Sequence, residues 1–162
     1  MLPVLAWPAG HPYGAAMASP VTVEIEVPGP IERVWAELAD LPSHTEWMAD
    51  AHALHFLTNQ RSGVGTRMEV ETRFGPLRTT DVMEFTAWDP PERMAVRHQG
   101  LFTGFGEFRL APDEDRVRVT WREQISFPWY LGGALGARIS RPVFGWVWRR
   151  NLRRFRDRLS SP

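Results

Sequence analysis

Three ionisable residues, Asp81, His98 and Glu123, each lie two residues from apolar neighbours, in segments where apolar and polar residues alternate. Because successive side chains of a strand point to opposite faces, this spacing assigns all three to an apolar face. Unpartnered ionisable groups are costly there, so we expect them to be paired, solvated at a strand end, or functional. A carboxylic acid in an apolar cavity beside an imidazole would supply general acid and base chemistry for a carbonyl compound. The alternative is a hydrogen-bond network that orients a ligand or only satisfies itself.

Four other residues suggest a metal site by their types: His44, Asp50, His52 and His55. On a strand, residues three apart point to opposite faces, so His52 and His55 cannot both bind one ion. Residues 104–106, Gly-Phe-Gly, are only part of a dinucleotide-binding fingerprint and are not followed by a helix. The sequence therefore predicts no metal site and no cofactor.

The residue types that are missing exclude several kinds of chemistry. The chain of 162 residues has no cysteine, which excludes disulfides, thiolate catalysis and thiolate metal sites. All 19 basic residues are Arg, and without lysine the chain cannot form a Schiff base or supply the lysine of a P-loop. The 19 acidic residues balance the basic ones, so the net charge predicts no nucleic-acid partner.

Seven alternating segments predict the strands that position these side chains. Between the first two segments, apolar residues at spacings of three and four predict a short helix from Ile31 to Leu38. Ser43 with Glu46 predicts a capping box at the start of a second short helix. The later segments are joined by short turns, which predicts an antiparallel meander. The seven segments are residues 21–27, 51–58, 66–74, 77–88, 93–98, 102–110 and 116–127.

The two ends of the chain have different patterns. Four prolines interrupt residues 1–20, which predicts a disordered leader rather than a secretory signal, with Met17 as an alternative start of translation. No run approaches the roughly 18 apolar residues of a membrane span, and we predict a cytoplasmic protein. From Trp129 onward the period is helical over about thirty residues, and Pro142 is expected to cause a kink or short break. Glycines within residues 132–136 predict a loose loop before this helix, close packing at these positions, or the entrance to a pocket.

Charge is distributed unevenly along the chain. Residues 129–162 contain eight Arg and one acidic residue, whereas residues 1–128 contain eleven Arg and eighteen acidic residues. Within residues 146–155, four Arg alternate with Trp, Leu and Phe, a pattern typical of a basic amphipathic surface. We expect at least one of Trp146 and Trp148 to lie near the surface and to permit peripheral contact with an anionic membrane. The alternative is that these arginines pair with acidic strand faces or solvate the helix.

Three stretches of sequence carry a resemblance to a known family: VPGPIERVWAELADLPSHTEW at 27–47, VMEFTAWDPPERM at 82–94, and NLRRF at 151–155, together with Trp121. With the order of predicted elements, they resemble the START-like (SRPBCC) superfamily, which includes the birch-pollen allergens and the polyketide cyclase/dehydrase and lipid-transport proteins. The resemblance implies an α+β helix-grip fold over residues 21–160. Such a fold has a curved seven-stranded antiparallel sheet around a long C-terminal helix, with two short helices after the first strand.

A curved sheet wrapped around one helix leaves a gap, and in this superfamily the gap is the ligand cavity. Our main hypothesis is binding or transport of a hydrophobic small molecule such as a lipid, polyketide or quinone. One alternative is an enzyme of the polyketide cyclase/dehydrase type that uses Asp81, His98 and Glu123. Another is a module that delivers a lipid or quinone to a membrane or protein through the basic last helix. We expect these apolar residues to line the cavity: Met68, Val70, Phe85, Val96, Phe108, Val119, Trp121, Leu135, Ile139 and Val143.

Overall fold

A computed structural model describes residues 20–160, so the predicted leader lies outside the described residues apart from Pro20. Within the described part, each predicted strand overlaps an observed one and the ends differ by at most three residues. The strands are β1 (Val21–Pro28), β2 (Ala51–Phe56), β3 (Arg67–Phe74), β4 (Leu77–Asp89), β5 (Arg93–Gln99), β6 (Thr103–Asp113) and β7 (Arg116–Ser126). The helices are α1 (Ile31–Ala39), α2 (His44–Trp47) and α3 (Gly133–Ser160), with 3₁₀ turns at Leu41–Ser43 and Trp129–Leu131.

The seven strands form one sheet in the order β1-β7-β6-β5-β4-β3-β2, and every neighbouring pair is antiparallel. Strands β2 to β7 therefore follow one another as the predicted meander requires, and β1 returns to pair with β7. Register shifts between Ala51 and Ala53 and between Phe85 and Ala87 mark irregularities of the kind that bend strands. The predicted α+β helix-grip fold, with a curved sheet and a long C-terminal helix, is confirmed.

The core fills one end of the space between the sheet and α3. The apolar face of α1 closes this end, with Val34 and Leu38 fully buried. Trp47 of α2 packs against Phe155 of α3 at 5.0 Å between ring centroids, and both are fully buried. Each such side chain contributes about 1.5–3 kcal/mol through burial. The opposite end of the same space remains open to form a cavity.

The predicted capping box at Ser43 is wrong. The 3₁₀ turn continues directly into α2, so Ser43 already has helical backbone angles (φ −65°, ψ −17°) and makes no capping hydrogen bond. An N-cap residue needs extended angles to turn its side chain back to the helix amides. The turn is instead tied to α1, because His44 Nε2 lies 2.8 Å from the carbonyl oxygen of Leu38.

The long helix α3 runs through Pro142 without a break. Its inward face begins with the small residue Ala137 and continues through Phe144, Trp148 and Phe155 toward the C-terminus. Phe144 contacts the rings of Phe74 and Trp148, at 5.3 and 5.4 Å between centroids. Within residues 20–160, no helix has the length and hydropathy needed to cross a bilayer.

The prediction that Leu135, Ile139 and Val143 line the cavity is wrong. Their exposed fractions are 66%, 68% and 59%, so they lie on the outer face of α3. The first half of α3 has two apolar sides, one with these three residues and the other with Phe144. The side with Phe144 faces inward because its ring packs against the rings of Phe74 and Phe127. Turning one stripe inward leaves the other in solvent, since the two lie on opposite sides of the helix.

Candidate functional site

A cavity of about 120 Å³ lies between the concave face of the sheet and α3. Its wall is mostly apolar, with four methionines, and α3 contributes Trp148. The wall is formed by His44, Met48, Asp50, Ala51, Leu54, Met68, Val70, Thr72, Phe74, Met83, Phe85, Met94, Val96, His98, Phe102, Gly106, Phe108, Trp121, Glu123, Ile125 and Trp148. The strands thus form most of the wall.

The strand residues expected at the cavity divide into two sets. One set lies in the wall: Met68, Val70, Phe85, Val96, Phe108 and Trp121. Val119 is fully buried but belongs to the packed core and does not reach the cavity wall, which corrects its expected place. The reason is that α1 packs against β6 and β7 and fills this end of the concave face. Alternation along β7 identified the inward face, and the position of α1 decided which part of it stays open.

The most polar part of the wall is formed by β5 and β7. His98 Nε2 lies 2.5 Å from Glu123 Oε1, and both side chains are nearly buried. The indole Nε1–H of Trp121 donates a 2.7 Å hydrogen bond to Glu123 Oε2. Each oxygen of the carboxylate therefore has a protein group beside it. The sequence predicted that His98 and Glu123 lie on the apolar face, and both do lie in the cavity wall.

Gly106 of β6 provides the space for the Glu123 carboxylate. It pairs with Val96 of β5 on one side and with Glu123 of β7 on the other. A Cβ atom at this position would lie 2.6 Å from Glu123 Oε2 and 3.0 Å from Oε1. Such distances are shorter than van der Waals contact, so any other residue would displace the carboxylate. The partial dinucleotide fingerprint thus has a steric role here.

The pKa of His98 is raised above its ordinary value of 6.5. Burial acts to lower it, but the Glu123 carboxylate beside the ring and the more distant charge of Asp81 together outweigh burial. A raised pKa favours the imidazolium form, which is a proton donor at both ring nitrogens. The pair can therefore hold a proton at the cavity wall near neutral pH.

Asp81 is buried but does not belong to the cavity wall. Its carboxylate accepts hydrogen bonds from Thr79 Oγ1 at 3.0 Å and from the backbone N–H of Phe102 at 3.4 Å. It also fills the space beside Gly100, where an added Cβ would lie 2.0 Å from Asp81 Oδ1. Asp81 therefore fixes the connection between β5 and β6, and its predicted place beside a substrate is corrected.

Asp50 is a cavity residue that the sequence interpretation missed. Asn151 of α3 donates a 2.6 Å hydrogen bond from Nδ2 to Asp50 Oδ1, and Asn151 Oδ1 accepts from the backbone N–H of Ala49 at 3.0 Å. Burial raises the pKa of Asp50; the bond from Asn151 acts against this, and the charge of Glu123 adds to it. The signal in the sequence was Asn151, a polar residue on the buried stripe of α3 that requires a partner.

The other histidines among residues 20–160 are His44, His52 and His55. Burial lowers the pKa of His44 to about 4, so this wall residue is neutral near pH 7. His52 and His55 are exposed on β2. In the part of the chain that the structure describes, no group of three or more His, Cys, Asp or Glu could hold a metal ion.

Comparison with known proteins agrees with this geometry. A START superfamily protein from Mycobacterium smegmatis superposes with a TM-score of 0.72 at 12% identity, over 87% of this chain and 97% of that one. A protein from Thermus thermophilus gives 0.70 at 20% identity, over 86% and 96% of the chains. The Zhui aromatase/cyclase from Streptomyces sp. R1128 gives 0.64 at 18% identity, over 86% and 90%. These TM-scores, at identities of 20% or less, show a shared START-like fold and no more than the fold.

None of the curated proteins compared with this chain matches it. A family model does match, and it covers residues 20–161, which include the strands and helices that the structure describes and the whole cavity wall. The chain belongs to the polyketide cyclase/dehydrase and lipid transport family.

Proposed function

We propose that this protein binds a hydrophobic small molecule that carries one polar group, in the cavity between the sheet and α3. The observation that carries the proposal is a mostly apolar wall that also contains a few polar side chains, among them His98, Glu123 and Asp50. Ligand sites commonly combine apolar walls with a few placed polar groups that fix orientation. Binding or transport is therefore the first function to test.

The apolar part of the wall suits ligands of variable shape. Met48, Met68, Met83 and Met94 all contribute to it. Methionine side chains are unbranched and polarisable, so they adapt to irregular partners at low cost. The cavity of about 120 Å³ can therefore grow by rotamer changes when a larger molecule enters.

The polar part of the wall favours a ligand with a carbonyl or hydroxyl group. The imidazolium of His98 can donate a hydrogen bond to such an oxygen. Asp50, whose pKa is raised by burial, lies in the same wall and can donate in its protonated form. A ligand carboxylate would instead meet the charge of Glu123, which makes a neutral oxygen the better match.

Probe binding to cavity variants tests this proposal. Leu54→Trp places a larger side chain in the wall from β2, whereas Leu57→Trp adds the same group at an exposed position three residues away. We expect the neutral probe 1-N-phenylnaphthylamine to bind the Leu54→Trp variant at least about tenfold more weakly, because the space is filled. Affinity in the Leu57→Trp control should match the parent protein. Equal affinity in both variants would place the probe outside the cavity and contradict the proposal.

A second candidate function is acid–base catalysis of a dehydration, which the contact between His98 and Glu123 favours. The His98 imidazolium would protonate the hydroxyl of a β-hydroxyketone, the C–O bond would break, and water would leave. The Glu123 carboxylate would accept the proton from the α-carbon and return it to His98. The aromatase/cyclase among the structural neighbours supports testing this reaction class.

Mass spectrometry of an aromatic β-hydroxyketone incubated with the protein tests this second function. Glu123→Gln should abolish the loss of water while probe affinity is kept, because the amide preserves shape but cannot accept the proton. Glu84→Gln, which changes an acid paired with Arg97 outside the cavity wall, is the matched control. Dehydration at equal rates in both variants would remove Glu123 from the mechanism and leave the binding proposal untouched.

A further inference from the structure

Large apolar side chains are exposed together on one part of the surface. Among residues 20–160, seven of the nine exposed ones lie between positions 129 and 146. We call this set the outer apolar face: Trp129, Tyr130, Leu131, Leu135, Ile139, Val143 and Trp146. Contiguous apolar patches on a surface mark contacts with a partner or a membrane.

The helical period places most of this set on one line. Successive residues of an α-helix are about 100° apart, so Trp146 returns to within about 20° of Leu135. Ile139 and Val143 lie beside them, and the stripe from 135 to 146 is about 17 Å long. Trp129 is 85% exposed in the turn just before the helix and extends the apolar surface beyond its N-terminus.

The same side of α3 becomes basic toward its C-terminus. Arg149, Arg150, Arg153 and Arg154 are all exposed and follow Trp146 directly. The guanidinium of Arg150 lies 5.7 Å from the centre of the Trp146 ring, so the aromatic and basic regions touch.

Two other arginines of α3 form ion pairs with acidic side chains. Arg158 bonds to Glu37 at 2.8 Å and to Glu46 at 2.5 Å, and Arg156 bonds to Asp157. The partners of Arg156 and Arg158 lie on helices, so neither arginine pairs with an acidic strand face as the alternative expected. The cluster at 149–154 remains exposed beside the outer apolar face.

The geometry points to this face as a docking surface for an anionic lipid bilayer. Trp and Tyr side chains suit the boundary between headgroups and acyl chains, because their rings are apolar and their N–H and O–H groups are polar. The adjacent arginines match lipid phosphates in charge. A second copy of this chain fits less well, because it would bring a second cluster of arginines to the contact.

The inner side of α3 borders the cavity. Phe144 packs between Phe74 and Phe127 at one end of the cavity, and Trp148 forms part of the wall. Docking through the outer side would therefore bring this end of the cavity close to the bilayer. The docking proposal does not depend on occupancy of the cavity and can be tested alone.

Sedimentation with vesicles tests the proposal on the full chain. We expect binding to vesicles of phosphatidylcholine and phosphatidylglycerol in equal parts, and little binding to phosphatidylcholine alone. Binding should weaken strongly as salt is raised from about 0.1 M to 1 M, because the screening length falls from about 10 Å to 3 Å. Equal sedimentation with both vesicle types, or none with either, would overturn the proposal.

Two pairs of variants locate the contact. Arg149→Glu with Arg150→Glu should weaken binding by at least about tenfold, since each basic residue near the surface contributes about fivefold. The control variant, Arg61→Glu with Arg67→Glu, has the same change of charge at exposed positions outside α3. We expect it to bind the vesicles more tightly than the variant changed at Arg149 and Arg150. Equal losses in the two pairs would show that net charge alone drives binding and would overturn the proposal.

The apolar contribution has its own matched control. Ile139→Ser with Trp146→Ser removes two members of the outer apolar face, whereas Leu57→Ser with Val64→Ser removes two exposed apolar side chains elsewhere. We expect only the first pair to lose vesicle binding, while both pairs keep the thermal midpoint of the parent. Sedimentation equilibrium completes the test, because a stable dimer that the first pair dissociates would assign the face to self-association and overturn the proposal.

Discussion

Both halves of α3 carry large apolar residues, but the two halves differ in how far these side chains are buried. The N-terminal half, residues 133–147, buries only Ala137 and Gly145. The C-terminal half, residues 148–160, turns its large apolar side chains into the core: Trp148, Leu152, Phe155 and Leu159. One continuous helix therefore stabilises the fold at one end and offers an apolar surface to solvent at the other.

The difference teaches that an apolar stripe does not reveal what it faces. Leu135, Ile139 and Val143 recur every four residues as regularly as residues of a core do, yet they lie in solvent. What distinguishes the halves is the partner surface. The C-terminal half meets α2, with Phe155 against Trp47, whereas the N-terminal half meets the cavity end through Phe144.

Replacing one large side chain in the C-terminal half gives the largest expected effect on stability. Phe155→Ala should lower the free energy of unfolding by about 3–5 kcal/mol, because Phe155 is fully buried and its loss leaves a cavity. Urea denaturation measures the change. A loss below about 1 kcal/mol would mean that this half contributes no more than an ordinary surface segment.

Asn151 tests whether the C-terminal half also holds the polar part of the cavity wall. Asn151→Ala removes the partner of Asp50 and of the Ala49 N–H, and should cost about 1–3 kcal/mol. Asn59→Ala, at an exposed position between β2 and β3, is a control that should leave the free energy of unfolding unchanged. Equal stability of the two variants would show that these bonds contribute nothing to joining α3 to the segment before β2.

The pair of His98 and Glu123, on the sheet side of the cavity, should make the stability of the protein depend on pH. Because the pKa of His98 is raised above 6.5 in the folded state, its contribution to stability is complete below pH 6.5. That contribution is lost as pH rises through the folded-state pKa.

In Glu123→Gln the nearest negative charge is gone, so burial would lower the pKa of His98 and reverse the sign of this dependence. Thermal midpoints of both proteins measured between about pH 5 and 9 provide the test. Parallel curves would contradict an electrostatic coupling between the two side chains.

The smallest expected effect belongs to the N-terminal half of α3. Leu135→Ala and Ile139→Ala should each change the free energy of unfolding by no more than about 0.5 kcal/mol, because these side chains are exposed and Ala favours helix. Compared with Phe155→Ala, they measure the contrast between the halves directly. A loss near that of Phe155→Ala would mean that the outer apolar face is buried in solution.

The sequence by itself determined the strands, the order of elements and the inward side of the strands that carry the predicted cavity residues. Alternation is a local property, because neighbouring side chains of a strand must point to opposite faces, so His98 and Glu123 could be assigned to the concave face without the fold. It could not show that both lie beside one another, since β5 and β7 meet only through β6. Nor could alternation show that Gly106, on the strand between β5 and β7, leaves room for the Glu123 carboxylate.

Tertiary structure decided where the concave face stays open and which way the first half of α3 turns. Val119 and Trp121 lie on the same face of β7, which α1 contacts, but only Trp121 reaches the cavity wall. Asp50 is held at the cavity by a hydrogen bond from Asn151, a residue distant in sequence. These outcomes depend on contacts between segments far apart in the chain, and a helix with two apolar sides buries the one for which the rest of the fold provides a partner.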